Sequence, residues 1–254
     1  MPRKFVWVAV ALLFACAKIE PSRTDRKADI PRNGLALWLA ADDAQPNEVV
    51  DVWQNPELTG PRANALSIAA QPKRVANALN GHAVVRFDGV DDIMKTTIEF
   101  GRGRMEAATV FAVFSSATAA ASPLRKLYGC DNGGFDPAAG LDDRADTNYG
   151  VFTGGGAHPY FVLEPNHYYL TSDVWKWTEF TGYVDGHLKI DHLPITSDTD
   201  TLPNLFLGGT GTVYYEHWQG DIAEVIVFSR ALEDAERRKV EDYLAEKYAV
   251  TLHR

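Results

Sequence analysis

The sequence predicts an all-β domain, a sandwich of two antiparallel sheets with one helix at its C-terminal end. The deciding stretch is residues 222–228, in which both faces of an extended chain would be apolar. Such a strand must be covered on both faces, so we place it in the middle of a sheet with packing above and below. Simple alternation would put Ile222, Glu224, Ile226 and Phe228 on one face.

A helix is predicted directly after this strand. Apolar residues recur there at steps of three and four, with Glu, Arg and Lys between them, which is the pattern of a helix with one buried side. They are Leu232, Ala235, Val240, Tyr243, Leu244 and Tyr248. Because the helix follows the strand at once, we expect it to cover one face of the strand, and a second sheet to cover the other.

The N-terminal residues 1–16 read as an export signal. Two basic residues, Arg3 and Lys4, precede an apolar stretch, and its length of about 11 residues is usual for a signal peptide. The stretch ends in Leu-Phe-Ala-Cys, which resembles the lipobox of bacterial lipoproteins, where the cysteine is acylated after cleavage. Phe14 departs from that pattern, because a small residue is usual there. Lipidation of Cys16 is therefore expected, and the alternative is a secreted protein whose signal is discarded.

The rest of the chain divides into a tether and one domain. Residues 17–32 are charged, contain proline and lack periodicity, so they are expected to be flexible. Residues 33–254 form the predicted domain, outside the cell or anchored to its envelope. A net charge of −9 argues against nucleic-acid binding. Once Cys16 is lipidated, Cys130 is the remaining thiol and no disulfide is expected.

Strands are predicted wherever short β-prone runs lie between turn residues. They lie near residues 35–40, 49–53, 66–69, 83–88, 93–97, 109–115, 126–129, 149–153, 160–163, 168–171, 177–184, 188–192, 205–207, 213–215 and 222–228. Asp185-Gly186 between two of these runs indicates a hairpin. Residues 130–148, rich in Gly and Asp, are expected to be a long irregular loop.

The chain also resembles a known family. Residues 218–248 include W-x-G-x-I-A-E-V-I-V-F-x-R-A-L, which is similar to the end of bacterial laminin-G-like (LamG) domains of the concanavalin A-like lectin/glucanase superfamily. Residues 34–43, 77–92 and 177–186 resemble earlier blocks of those domains, in the same order. The resemblance covers about 34–250 and implies a concanavalin A-like jelly-roll sandwich. It says little about function, because one fold hosts many functions.

Catalysis is not expected. Glucanases of the superfamily place acidic residues at alternate positions of one strand, as in Glu-x-Asp-x-Glu, so that they share a face. Asp221 and Glu224 are three apart and would lie on opposite faces, and Glu99, Glu106 and Glu164 stand alone. The hypothesis of a polysaccharide hydrolase or lyase is therefore the weakest of three.

The acidic loop is a candidate calcium site. Hard cations bind several carboxylate and carbonyl oxygens at one point, and LamG-like domains often hold Ca²⁺ at a loop rim. The candidate ligands are Asp131, Asn132, Asp136, Asp142 and Asp143. The alternative is a solvated loop in which aspartates serve as turn residues.

Aromatic residues are the candidate ligand-binding groups. An aromatic ring can bury one side and offer the other to a sugar. The candidates are Trp175, Tyr214, Tyr160 and Tyr149, whereas Trp38, Trp53, Trp177 and Trp218 are expected in the core. On this basis the domain is predicted to be a non-catalytic module that binds a glycan or glycoprotein. A structural or adhesive scaffold without a small ligand remains the alternative.

One buried ion pair is predicted. Glu224 and Arg86 each alternate with apolar residues, so each faces packed apolar surface. A charge buried there without a partner costs several kcal/mol or neutralises itself. We therefore expect the two side chains to pair with each other, as a structural rather than a catalytic feature.

Overall fold

Two antiparallel sheets pack face to face in the computed structural model, which describes residues 27–45, 49–196, 202–211 and 216–254. The strands are β1 (Leu35–Ala40), β2 (Val52–Gln54), β3 (Arg62–Ala65), β4 (Lys73–Leu79), β5 (His82–Asp88), β6 (Met94–Glu99), β7 (Ala108–Ser116), β8 (Arg125–Gly129), β9 (Ala138–Leu141), β10 (Tyr149–Phe152), β11 (Ala157–Phe161), β12 (Tyr169–Trp175), β13 (Glu179–Val184), β14 (His187–Pro194), β15 (Asn204–Leu207) and β16 (Gln219–Phe228). Helix α1 (Asp234–Tyr248) follows β16. The predicted all-β sandwich with one C-terminal helix is confirmed.

Each sheet contains eight strands. The first runs β14-β13-β12-β7-β16-β5-β4, with β1 also paired to β16, and the second runs β11-β10-β9-β8-β15-β6-β3-β2. Strand β16 pairs with β1, β5 and β7, so it is central, as its two apolar faces predicted. Every position of β7 is buried as well.

The central strands of the first sheet are buried on both faces. Its inner face meets the second sheet in a large core that includes Leu37, Phe114 and Val225. Its outer face meets α1 in a second core, where Trp38 and Ile226 pack with Leu244. A capping box between Glu233 and Glu236 fixes the start of α1. The helix therefore covers one face of β16, as predicted.

A β-bulge in β16 changes which side chains share a face. The pairing of β16 with β7 shifts register between Ile222 and Glu224. Ile222 consequently lies in the inner core, whereas Ala223 and Ile226 lie in the outer core. The expectation that Ile222 shares a face with Ile226 is wrong, because the bulge inserts one extra residue into the alternation.

The predicted pair of Glu224 with Arg86 is also wrong. The carboxylate of Glu224 accepts hydrogen bonds from Trp38 Nε1 at 2.5 Å, Lys247 Nζ at 2.7 Å and the Tyr248 hydroxyl at 2.7 Å. Two of these donors lie at the end of α1, which brings them over the bulge. The burial of Glu224 was predicted correctly, at 0% exposure, but its partners come from the helix.

Arg86 pairs with Asp221 instead, because these two residues are directly opposite each other in the β5–β16 register. The bond is bidentate, with Arg86 Nε 2.7 Å from Oδ1 and Nη2 2.9 Å from Oδ2 of Asp221. Asp221 also accepts a hydrogen bond from Tyr168, which packs against the outer core. Asp221 and Glu224 thus both face outward, which corrects their expected placement on opposite faces.

Two strands were missed and one was misplaced. β4 was not predicted, and β9 lies inside the expected loop 130–148. The predicted strand at 66–69 is irregular, and the neighbouring strand is β3. Three of the four residues of β9 are small and have no strand preference. Gly140 is needed there, because a Cβ at this position would lie 2.2 Å from the carbonyl oxygen of Arg125. The predicted strand at 213–215 lies outside the described residues.

The described chain includes only the last residues of the predicted N-terminal tether. Cys16 and the tether up to residue 26 lie outside it. Residues 27–32 were assigned to the tether, but Ile30 is 2% exposed in the outer core and Lys27 lies over the Trp38 ring. The domain therefore begins earlier than predicted. Among the helices of the described ranges, none has the length and apolarity needed to cross a membrane.

We expect Glu224→Ala to destabilise the domain by roughly 3–5 kcal/mol, because it removes the buried carboxylate to which Trp38, Lys247 and Tyr248 donate. Urea unfolding measures the loss. Glu57→Ala is the matched control, since Glu57 pairs with Lys27 at an exposed site and should cost less than about 1 kcal/mol. A double-mutant cycle should couple Glu224 to Lys247 more strongly than to Arg86; the reverse order would contradict the assignment.

Candidate functional site

Three of the four predicted ligand-binding aromatics are core residues. Trp175 and Tyr149 are 0% exposed and Tyr160 is 5% exposed. None of them offers a ring face to solvent, so the prediction that they stack on a sugar is wrong. Tyr214 lies outside the described residues. The four tryptophans assigned to the core, Trp38, Trp53, Trp177 and Trp218, are buried as expected.

The buried aromatics instead surround a carboxylate in the sandwich interior. Asp173 on β12 accepts hydrogen bonds from the hydroxyls of Tyr128 and Tyr160, each at 2.5 Å. Tyr128 and Tyr160 belong to the second sheet, so these bonds join the two sheets. Burial raises the pKa of Asp173 to about 7, although both hydroxyl donors oppose the rise. Asp173 alternates with Thr171 and Trp175, and that pattern was the signal for a buried acid.

The acidic loop uses two of its aspartates to hold its own turns. Asp131 Oδ1 accepts the N–H of Gly133 at 2.7 Å and that of Asp136 at 3.3 Å. Asp136 Oδ2 in turn accepts the N–H of Asn132 at 3.2 Å. These are the turn-forming contacts of the alternative interpretation.

Asp142 has two cationic partners. Lys126 Nζ lies 2.6 Å from Asp142 Oδ2, and Arg144 Nη2 lies 2.7 Å from the same atom. Burial alone would raise the pKa of Asp142, but these two partners lower it to about 2. Lys126 is fully buried, 3.5 Å from the centre of the Phe152 ring. Asp143 is exposed, and within the described ranges the four predicted aspartate ligands do not form a carboxylate group that could hold a metal ion.

A polar cleft lies at one end of the sandwich, where β5 and β7 end and β16 begins. Its volume is about 540 Å³, which suits a small ligand. The residues that give it its polar character are Gln71, Arg86, Asp92, Asn166, Gln219 and Asp221. They come from five separate segments of the chain, so no single motif in the sequence marks the cleft.

The Arg86–Asp221 pair forms the fixed wall of the polar cleft. The side chain of Asp221 is 8% exposed and that of Arg86 is 53% exposed. Two guanidinium N–H groups donate to Asp221, and a guanidinium carries five. Tyr168 donates to Asp221 Oδ2 at 2.7 Å. Because the bidentate bond to Asp221 holds Arg86 in place, its guanidinium presents donors at a defined position.

Three carboxylates stand beside this wall. Ligand oxygens of Asp88, Asp91 and Asp92 lie within 4.8 Å of one another. Burial raises the pKa of Asp92 to about 6, and its acidic neighbours add to the rise. Asp92 Oδ2 accepts the N–H of Asp88 at 2.8 Å. Carboxylates at this spacing have the chemistry to hold a hard cation, and the raised pKa of Asp92 shows that burial and acidic neighbours disfavour its negative charge.

Two apolar residues are exposed in the chain segments that contribute to the polar cleft. Ile68 is 88% exposed and Val90 is 70% exposed. They lie in the two segments that contribute Gln71 and Asp92, and the N–H of Ile93 donates to the carbonyl of Ala70 to join these segments. Exposed apolar side chains therefore lie in the same two segments as Gln71 and Asp92.

Comparison with solved structures finds similar folds at low sequence identity. Trypanosoma rangeli sialidase in complex with sialic acid matches with a TM-score of 0.60 and 17% identity, over 85% of this chain and 34% of the sialidase chain. Domain 4 of AbnA, an extracellular GH43 arabinanase from Geobacillus stearothermophilus, in complex with arabinotriose, matches with a TM-score of 0.57 and 11% identity, over 82% of this chain and 97% of that domain. The binding domain of botulinum neurotoxin serotype D matches with a TM-score of 0.54 and 9% identity, over 82% of this chain and 50% of that domain.

These similarities establish the fold, a β-sandwich shared with sialidase and GH43 enzyme domains. This chain spans about a third of the sialidase chain. Neither a protein-family profile nor a curated protein matches the sequence.

The buried Asp173 predicts a pH dependence of stability. Its pKa is 3.8 in an ordinary setting and about 7 in the folded chain, so the folded state holds a proton that the unfolded state releases. Its contribution to the free energy of unfolding is therefore largest at low pH, and falls by about 4 kcal/mol between about pH 4 and pH 7. Asp173→Asn removes this fall.

Urea unfolding of the two proteins across this range measures the difference. Asp143→Asn, at an exposed position of the acidic loop, is the control and should behave as wild type. Parallel pH profiles for wild type and Asp173→Asn would contradict the assignment.

Proposed function

We propose that this domain is a non-catalytic glycan-binding module and that the polar cleft is its ligand site. The observation that carries the proposal is the fixed Arg86–Asp221 wall, which faces side-chain amides at Gln71 and Gln219. Sugar hydroxyls both donate and accept hydrogen bonds, so planar guanidinium, carboxylate and amide groups suit them. Ile68 and Val90 are exposed in the segments that contribute Gln71 and Asp92, and apolar side chains suit the C–H faces of a sugar ring.

The similar structures support this assignment. The arabinanase domain of the same fold was solved with arabinotriose, and the neurotoxin domain is described as a binding domain. We take the shared feature to be a sandwich that presents a ligand site rather than a reaction centre.

The arrangement of carboxylates supports binding rather than hydrolysis. A glycosidase needs one carboxyl group to act as acid and a second, ionised one to act as nucleophile or base. In the polar cleft, Asp221 is bound by Arg86 and Tyr168, and Asp92 is turned to the backbone of Asp88. The raised pKa of Asp92, about 6, is the one observation that favours the hydrolase alternative.

We further propose that the protein is exported and held at the cell envelope by a lipid on Cys16. The support is the order of basic residues, apolar stretch and cysteine at the N-terminus. Bacterial lipoproteins carry several acyl chains, and more than one chain is what durable attachment requires. Ca²⁺ in the acidic loop remains a prediction of the sequence.

A glycan array probed with the purified domain tests the binding proposal. We expect binding to neutral or acidic oligosaccharides that Arg86→Gln weakens by about tenfold or more, because hydrogen bonds from a charged donor are lost. Arg62→Gln, an exposed strand arginine outside the cleft, is the matched control. Repeating the array with a chelator shows whether Ca²⁺ contributes.

The same oligosaccharides are then assayed for release of reducing ends. We expect none, and release that Asp92→Asn abolishes would establish the hydrolase alternative instead. If no glycan binds at all, the scaffold alternative stands.

Lipidation has its own test. Cells that express the full chain are labelled with a palmitate analogue. We expect label on wild type and on Cys130→Ser, whose thiol is buried, and no label on Cys16→Ser. Equal labelling of wild type and Cys16→Ser would refute the anchor.

A further inference from the structure

A second cavity lies at the same end of the sandwich as the polar cleft. We call it the histidine pocket; it has a volume of about 500 Å³ and its lining includes Phe161, Tyr169, Asp185, His187, Lys189 and His253. The loop 162–168 separates the two cavities: Asn166 lines the polar cleft and Val162 lines the histidine pocket. A ligand that crosses this loop would contact both cavities.

The histidine pocket concentrates cationic side chains in an acidic protein. The chain has seven histidines and a net charge of −9, yet three of the histidines surround this cavity. His187 and His253 line it together with Lys189. His167 borders it, with its ring 4.5 Å from that of Tyr169. These side chains come from the loop 162–168, the start of β14 and the C-terminal tail, so the fold rather than the sequence brings them together.

The carboxylates at the pocket do not cancel this charge. Asp185 accepts the N–H of Leu170 at 2.8 Å. Burial raises the pKa of Asp185, while Leu170, His167, His253 and Lys189 lower it. Glu164 is the other acidic neighbour, and its backbone N–H donates to the Tyr169 hydroxyl. Once the imidazoles are protonated, four cationic groups face these two acids.

The floor of the histidine pocket is aromatic and its rim is apolar. The rings of Phe161 and Tyr169 lie 4.9 Å apart, and Val162 is 69% exposed. A cavity of about 500 Å³ is far larger than an inorganic anion. The chemistry that fits is a ring with apolar C–H groups that also carries a negative charge.

We propose that the histidine pocket binds an acidic sugar unit, one bearing a carboxylate or sulfate, within the glycan that the polar cleft holds. This inference rests on the proposed glycan-binding function. His187, His253 and Lys189 receive the anionic group, and the exposed side chain of Val162 contacts the ring.

Matched pairs of oligosaccharides test the proposal by titration calorimetry. The acidic probes are tetragalacturonate, sialyllactose and a chondroitin sulfate tetrasaccharide; their uncharged partners are the methyl ester, lactose and the desulfated, methyl-esterified tetrasaccharide. We expect at least one acidic probe to bind about tenfold more tightly than its partner near pH 6.

Variants locate the effect. His187→Gln combined with His253→Gln, and separately Lys189→Gln, should remove the preference for the acidic probe; all three side chains are exposed, so unfolding midpoints should not change. His192→Gln, on the same strand β14 but paired with Glu179, is the control and should keep the preference.

The outcomes separate this inference from the function on which it rests. Equal affinity for charged and uncharged probes, or a preference that survives in the variants, overturns the acidic subsite. If neutral probes bind and Arg86→Gln weakens them, the glycan-binding function still stands. If wild type binds no probe of the panel, this inference fails, and the glycan array then decides whether the proposed function fails with it.

Discussion

The requirement to cover strand β16 on both faces determines the architecture. A strand that is apolar on both sides cannot expose either face to solvent. One of its faces must pack on a second sheet and the other on a further layer. The second sheet supplies the inner core, and helix α1, with residues 27–32, supplies the outer one. The three-layer order of helix, sheet and sheet follows from this one strand, and so does the burial of the acidic side chain of Glu224.

The order of the layers and the burial of the main elements could be predicted from the sequence, but the register of the strands could not. Apolar periodicity identified β16, β7 and α1, because their burial is dictated by composition. The prediction of side-chain partners failed where a shift of one residue matters. Because of the bulge after Ile222, Glu224 pairs with Lys247 and not with Arg86. A bulge leaves no compositional mark. β9 was missed for the related reason that small residues are selected there by close packing, not by strand preference.

The candidate site was less predictable than the fold, for a physical reason. Aromatic residues in strands stand out in a sequence, yet Trp175, Tyr149 and Tyr160 are apolar enough for the core to take them. The groups left facing solvent at the end of the sandwich are ordinary polar residues from separate segments. Arg86 was recognised as a charge in need of a partner, but only the strand pairing revealed that the partner is Asp221 and that the pair lines a cleft.

The antiparallel pairing of β1 with β16 has a mechanical consequence. On the proposed anchoring, tension from the membrane enters β1 at its N-terminal end, next to Phe228. A glycan held in the polar cleft pulls near Asp221, at the opposite end of β16. The load then runs along the strands, at right angles to the hydrogen bonds between them, so those bonds share it in shear instead of opening one after another. On these two proposals, a pull between the anchor and the glycan would load the domain in the direction in which the sheet resists it best.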